Sequence, residues 1–253
     1  TAYYRIDPPS QITNLTITLT QAESIGLADA SAFSGGQVWY SNRADVSHSI
    51  LTRTFDLSEV DSATLSYQAW WAIEEGWDYL YLTASGDGGA TWDILAAPNT
   101  TTDNPHGNAY GPGYSGQSGE WIEQTVSLDA YAGGEVMLSF ELITDDAVTE
   151  AGFLLDDVRI PQIDYFSDFE ADGGGWAAAG WVRTDNRLPQ RAWVQLIQTT
   201  PDGVELSRWL ADASTATFSA AIAPDATEIG LAISPFAPLT TVPATYSIDV
   251  QME

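Results

Sequence analysis

Apolar and polar residues alternate with a period of two along most of this chain. Residues 12–19 (ITNLTITL) set Ile and Leu against Thr and Asn, which predicts a strand with one buried face. Residues 49–57 (SILTRTFDL) repeat the pattern, and 63–72 (ATLSYQAWWA) read as a core strand. Residues 78–85 (DYLYLTAS) alternate strictly, with Tyr79 and Tyr81 on one face and Leu80 and Leu82 on the other. A short aromatic strand is predicted at 37–40, a glycine-rich hairpin at 86–89 with its return at 91–95, and further strands at 121–128, 135–143 and 152–160. Residues 99–119 read as a long loop rich in Gly, Asn, Pro and Tyr. Antiparallel strands at this spacing make a two-sheet sandwich.

A boundary is predicted near 161–164. Beyond it, segments 181–184, 192–199, 204–210, 215–222, 228–234 and 245–250 read as six short strands. They suffice for a second, smaller sandwich, or for one that shares strands with the N-terminal stretch. The expected division is an N-terminal strand and linker over 1–34, a jelly-roll-like β-sandwich over 35–163 and a small β-sandwich over 164–253. The fold class is all-β. GGQVWYSNRAD and GGGWAAAGWVRTDN faintly echo each other without making a tandem repeat.

Composition sharpens this picture. The 253 residues include 21 Gly, 12 Pro and 10 Trp but no Cys, so no disulfide staples the fold and stability must come from a core, a metal or assembly. Eight basic residues, all Arg, face 35 carboxylates, giving a formal net charge of −27. Such a surface repels nucleic acid and anionic membranes, and no apolar run approaches the ~20 residues of a membrane span. A chain opening on Thr1, without a signal peptide, reads as a processed product or an excised segment.

The acidic residues supply the candidate chemistry. Ca²⁺ takes six to eight oxygen ligands, with carboxylates and loop carbonyls favoured. Glu74 and Glu75 end the aromatic strand and Asp78 begins the next, while Asp156 and Asp157 interrupt the apolar run 152–160. Strict alternation would turn one of that pair into the core, where a carboxylate needs a cation or an arginine; strand-end capping, or pairing of Asp157 with Arg53 or Arg43, is the other solution. These five residues, with Asp45 as a weaker sixth, form the predicted calcium site. Asp145 and Asp146, next to Glu150, are a second candidate, against the favoured reading of a solvated turn, and Asp87 reads as part of a plain hairpin.

Trp39, Trp71, Trp77, Tyr110 and Tyr114 are candidates for stacking on glycans, against the competing reading that a sandwich core needs large aromatics. Asn14 and Asn99 open N-glycosylation acceptor triplets. No catalytic residues are predicted: GYSGQSG is not followed by a helix, and paired carboxylates carry no signal among 35.

LTRTFDLS (51–58), residues 63–92, DNPHG (103–107), residues 121–148 and GFLLDDVRI (152–160) together resemble the C-terminal region of immune inhibitor A-like peptidases, secreted metalloproteases of the M6 class. The resemblance covers about residues 35–200 and implies a MAM-like jelly roll, with GFLLDDVRI similar to its last strand. Those peptidases carry HExxH; this chain has only His48 and His106, in SHSI and NPHG, so the resemblance extends to accessory modules and not to proteolysis. It implies a non-catalytic accessory or adhesive region of a secreted or cell-surface protein, partnered by other domains of that protein. A subunit of an extracellular layer or filament, built by self-assembly, and a carbohydrate-binding module are the alternatives.

Overall fold

A computed structural model describes residues 1–7 and 12–253. The structure is almost entirely β, all strand pairs between its named strands are antiparallel, and the contacts divide it into two compact units.

The larger unit spans Leu27–Asn186. Its first sheet runs Ile122–Ser127, Thr64–Ile73, Gly152–Ile160, Val38–Tyr40 and Val182–Thr184, with Tyr165–Ser167 and Gly116–Gln117 added at its margins. The second runs Ala177–Ala179, His48–Asp56, Glu135–Ile143, Tyr79–Ser85 and Asp93–Leu95. The period-two pattern works as expected: Leu65, Tyr67, Ala69 and Trp71 from one sheet meet Leu80, Leu82, Leu138 and Phe140 from the other in one core. Phe140 is its aromatic hub, with ring centroids of Tyr67, Trp176 and Trp181 at 5.1, 5.7 and 6.4 Å. On the first sheet's other face Tyr40, Leu154 and Trp70 align across three strands and are also buried, so adjacent Trp70 and Trp71 are both covered.

Where the sequence places a boundary near 161–164, the chain makes one 3₁₀ turn and returns as Tyr165–Ser167 to pair with Val158–Ile160. Residues 165–186 then add one edge strand to each sheet and put Phe169, Trp176 and Trp181 into the core. The two echoing phrases become neighbours, since Val182–Thr184 pairs with Val38–Tyr40. The unit is tied at its ends by buried Asn186, whose carbonyl accepts from Leu27 N–H (3.1 Å) and whose Oδ1 accepts from Ala28 N–H (3.0 Å).

The smaller unit takes both Thr1–Gly26 and Arg187–Glu253. A four-stranded sheet, Ala2–Ile6, Glu228–Phe236, Arg191–Thr200 and Gly203–Ala211, shares a core with a three-stranded one, Thr215–Ala221, Asn14–Gln21 and Tyr246–Met252. The N-terminal strand thus sits in the middle of a sheet whose other members come from the C-terminal end, the strand-sharing arrangement the sequence left open. Leu15, Ile17 and Leu19 are its fully buried face. A two-stranded ribbon, Ser24–Gly26 with Arg187–Pro189, completes the unit.

Candidate metal centre

Three connections of the larger unit pass from one sheet to the other and carry acidic residues: 41–47, 74–78 and 144–151. The second is a tight turn. Asp78 N–H donates to the Glu74 carbonyl (3.1 Å), which also accepts from Ser115 Oγ (3.2 Å), and Ser115 Oγ in turn accepts from Gly76 N–H (2.9 Å). Gly76 has φ +78°, and a Cβ there would lie 2.8 Å from Pro105 Cγ, so only glycine closes this turn. The other two connections are laced together: Thr144 N–H donates to the Ser47 carbonyl (3.0 Å), Ser47 N–H to Thr144 Oγ1 (2.9 Å) and Val46 N–H to the Asp145 carbonyl (2.5 Å).

The lacing brings Asp145 onto the turn. Its N–H donates to Asp78 Oδ1 (2.8 Å), and oxygens of Glu74, Asp78 and Asp145 all lie within 4.8 Å of one another. Two ligands at 2.3–2.6 Å on opposite sides of one Ca²⁺ are about 4.6–5.2 Å apart, so the trio fits a single ion. Glu74 Oε2 is buried without a hydrogen-bond partner. No arginine neutralises the group: the ion pairs among the described residues lie elsewhere, and Arg43 spends its donors on the carbonyls of Thr149 and Glu150. Burial, then the neighbouring carboxylates of Asp145, Glu74 and Asp45, push the Asp78 carboxyl up to about 6 against the Asp145 amide. Burial, then Asp145 and Glu150, also raise Glu74.

Of the six residues expected to bind metal, Glu74 and Asp78 meet here. Asp45 stands near enough to raise both, and accepts a hydrogen bond from Thr149 Oγ1. Glu75 is exposed and lines a neighbouring cleft of about 660 Å³ with Tyr79, Thr101, Asp103 and Ser115. Asp145, read from sequence as a solvated turn, is the third member of the trio. Its signal was topological: its loop and the 74–78 turn both cross between the sheets at one end.

Asp156 and Asp157 have other partners, which corrects the reason for expecting a cation beside them. The strand breaks register between Asp156 and Arg159, and Asp157 has φ +48°, so a bulge switches the parity and both Leu155 and Val158 face the core. Neither carboxylate enters the apolar core between the sheets, although both are buried. Asp156 Oδ2 accepts from the amides of Phe33 and Ser34 (both 3.1 Å) and Oδ1 from Asp157 N–H (2.8 Å); burial still raises its carboxyl to about 7. Asp157 takes Ser34 Oγ at 2.7 Å and pairs with Arg159 at 2.9 Å, not with Arg53 or Arg43. Asp156→Ala strands three amide donors. Urea unfolding is expected to show a loss of about 2–3 kcal/mol.

The aromatic candidates separate by burial. Trp39, Trp71 and Tyr114 belong to the core: Trp39 Nε1 donates to the Gly173 carbonyl (3.3 Å), Trp71 stacks on Phe153, and the Tyr114 and Tyr67 hydroxyls are 2.7 Å apart. None offers a ring face to a sugar. Trp77, stacked on His106 at 3.6 Å, and Tyr110 are exposed. Asn99 lies in an exposed turn with its side chain held by Gln124, and Asn14 is half-buried at the start of its strand.

A family model described as "Immune inhibitor A-like, MAM domain" matches residues 14–186, more than half of the chain. The pre-pro-metalloprotease PrtV of Vibrio cholerae serotype O1 (strain M66-2) is 31% identical over 146 residues, which are 58% of this chain and 15% of that protein. Immune inhibitor A of Bacillus thuringiensis subsp. alesti is 30% identical over 127 residues, 50% of this chain and 17% of its own length. Bacillopeptidase F of Bacillus subtilis (strain 168) is 24% identical over 97 residues, 38% of this chain and 6% of its own. The chain therefore spans less than a fifth of each of these relatives.

Proposed function

The chain belongs to the immune inhibitor A-like MAM domain family, and on that premise we propose that it is a non-catalytic accessory region of a larger secreted or cell-surface protein, stiffened by one Ca²⁺ held by Glu74, Asp78 and Asp145. The observation that carries the calcium reading is the meeting of three carboxylates, without an arginine, on connections that cross between the two sheets. A divalent ion there supplies the missing positive charge and joins both sheets at that end, with water completing the shell. The task is structural support and docking: the stiffened end holds the cleft beside Glu75, with exposed Trp77 and Tyr110, in a fixed shape for a partner. The accessory reading is supported by a match confined to a small share of peptidase relatives, and the acidic surface suits an extracellular setting rich in divalent cations.

Isothermal titration of the metal-stripped chain tests this reading. One Ca²⁺ per chain is expected, Mg²⁺ is expected to bind more weakly because it dehydrates reluctantly, and Asp78→Asn is expected to lose binding. Absence of a saturable calcium signal, or one that Asp78→Asn leaves untouched, removes the metal from the proposal.

A further inference from the structure

The four-stranded sheet of the smaller unit ends on Gly203–Ala211, which pairs with Arg191–Thr200 on one side; among the described residues no strand takes its other side. The nine-residue strand presents about 30 Å of unpaired backbone amides and carbonyls, which only another polypeptide strand can satisfy as a ladder. Its outward side chains are Val204, Leu206, Arg208 and Leu210, and the three aliphatic ones are 67%, 58% and 37% exposed. No Pro, Lys or bulge blunts this edge. The comparable edge Thr215–Ala221 turns out only Thr, Ser and Ala, which water serves well.

Charge selects the occupant. The smaller unit holds four arginines against nine carboxylates, so it carries −5 of the chain's −27. The Gly203–Ala211 strand itself is neutral, with Glu205 and Arg208, and Arg208 is stacked 3.7 Å over Trp193. Two copies can meet at this strand without setting carboxylate against carboxylate. We propose that it pairs with the same strand of a second copy, antiparallel about a twofold axis through Ser207. That register uses all nine residues. It places Val204 opposite Leu210 of the second copy, Leu206 opposite Arg208, Glu205 opposite Trp209 and Ser207 opposite itself, so no like charges face each other within the ladder; just beyond it exposed Asp202 of each copy faces exposed Asp212 of the other, a repulsion that salt screens. Other in-phase registers shorten the ladder, and centring on Glu205 opposes two carboxylates. The twofold closes the assembly at a dimer, unlike the filament that edge strands also permit. One strand pair is small beside the about 1,200–2,000 Å² of stable complexes, so the dimer is weak and follows concentration. It strengthens with salt, which screens the repulsion between two strongly negative chains. The strand lies beyond the matched residues 14–186, so this surface is not a property of the MAM domain.

Sedimentation of the whole chain over a range of concentrations and salt tests the proposal. The mass is expected to rise from 27.3 kDa toward twice that value, more readily at high salt, and Leu206→Glu, at an exposed position, is expected to remain monomeric with an unchanged circular dichroism spectrum. Because the chain has no cysteine, Ser207→Cys introduces the sole thiol and is expected to form a disulfide-linked dimer under mild oxidation. A monomer under every condition overturns the proposal, as do polymers beyond the dimer, or a cross-link formed by Leu206→Cys and not by Ser207→Cys.

Discussion

Calcium at a hundredfold excess over its Kd is expected to raise the thermal midpoint of the larger unit by about 5–10 °C above its value in EDTA. The figure follows from the ~2.7 kcal/mol that such an excess adds to the native state and from the 2–4 °C per kcal/mol typical of domains of this size. Asp145→Asn and Asp78→Asn should each abolish the rise. In EDTA, however, Asp78→Asn should be no less stable than the wild type. Its Oδ1 can still accept the Asp145 amide at 2.8 Å, and a carboxylate repelled by Asp145, Glu74 and Asp45 has gone. A merely structural aspartate would instead weaken the stripped protein. The pH dependence carries a second sign. The folded Asp78 carboxyl stands at about 6, above the about 3.9 of an unfolded chain, so the folded state binds more protons between those values. Stability of the stripped protein contributed by this group is therefore present below pH ~4 and is lost as pH rises through ~6. Calcium requires the ionised form, so the calcium increment should grow from pH 5 to 7. An equal shift with Mg²⁺, or an increment that shrinks over that range, contradicts the site.

The second large effect is expected far from the acidic trio. Trp176→Ala should cost about 3–5 kcal/mol in urea unfolding, a large share of the 5–15 kcal/mol that holds a typical domain together. The ring lies 5.8 Å from Phe55 and 5.7 Å from Phe140, and its Nε1 donates to Tyr165 Oη at 3.0 Å. Trp176→Phe should cost far less, since it keeps most of the packing. A loss below about 1 kcal/mol for Trp176→Ala would mean that residues 165–186 are an appendage and not part of the sandwich.

What the sequence displayed, and what it hid, follows from the range of the interactions. Alternation is local, so Thr64–Ile73, Tyr79–Ser85, Glu135–Ile143 and Gly152–Ile160 were legible to within a residue or so. Val182–Thr184 was read at 181–184, but Ala177–Ala179 was not, because three alanines carry no usable period, and neither was Ala2–Ile6, which exposes most of its side chains. The bulge at Asp157 defeated a reading that assumed unbroken alternation. Two buried apolar residues, Leu155 and Val158, separated by two acidic ones were its trace. Two of the acidic trio were visible because Glu74 and Asp78 share a turn; Asp145 is 67 residues beyond Asp78 and joins them only through the strand order. Trp71 and Tyr114 looked available for stacking because type and position in the chain say nothing of what covers a ring.

Asn186 has a consequence for the order in which the chain folds. It fastens residues 27 and 28 to 186 by hydrogen bonds made within the larger unit. The Asn14–Gln21 strand must find Thr215–Ala221 across about two hundred intervening residues, a costly loop to close while the chain is random. Once the larger unit has formed and Asn186 holds its ends together, that loop shrinks to the short tails leading from residues 27 and 186. Folding should therefore show a fast phase from the larger unit and a slower one that depends on it. Unfolding should run in reverse, with the terminal strands released first while the inserted sandwich still protects its amides from exchange.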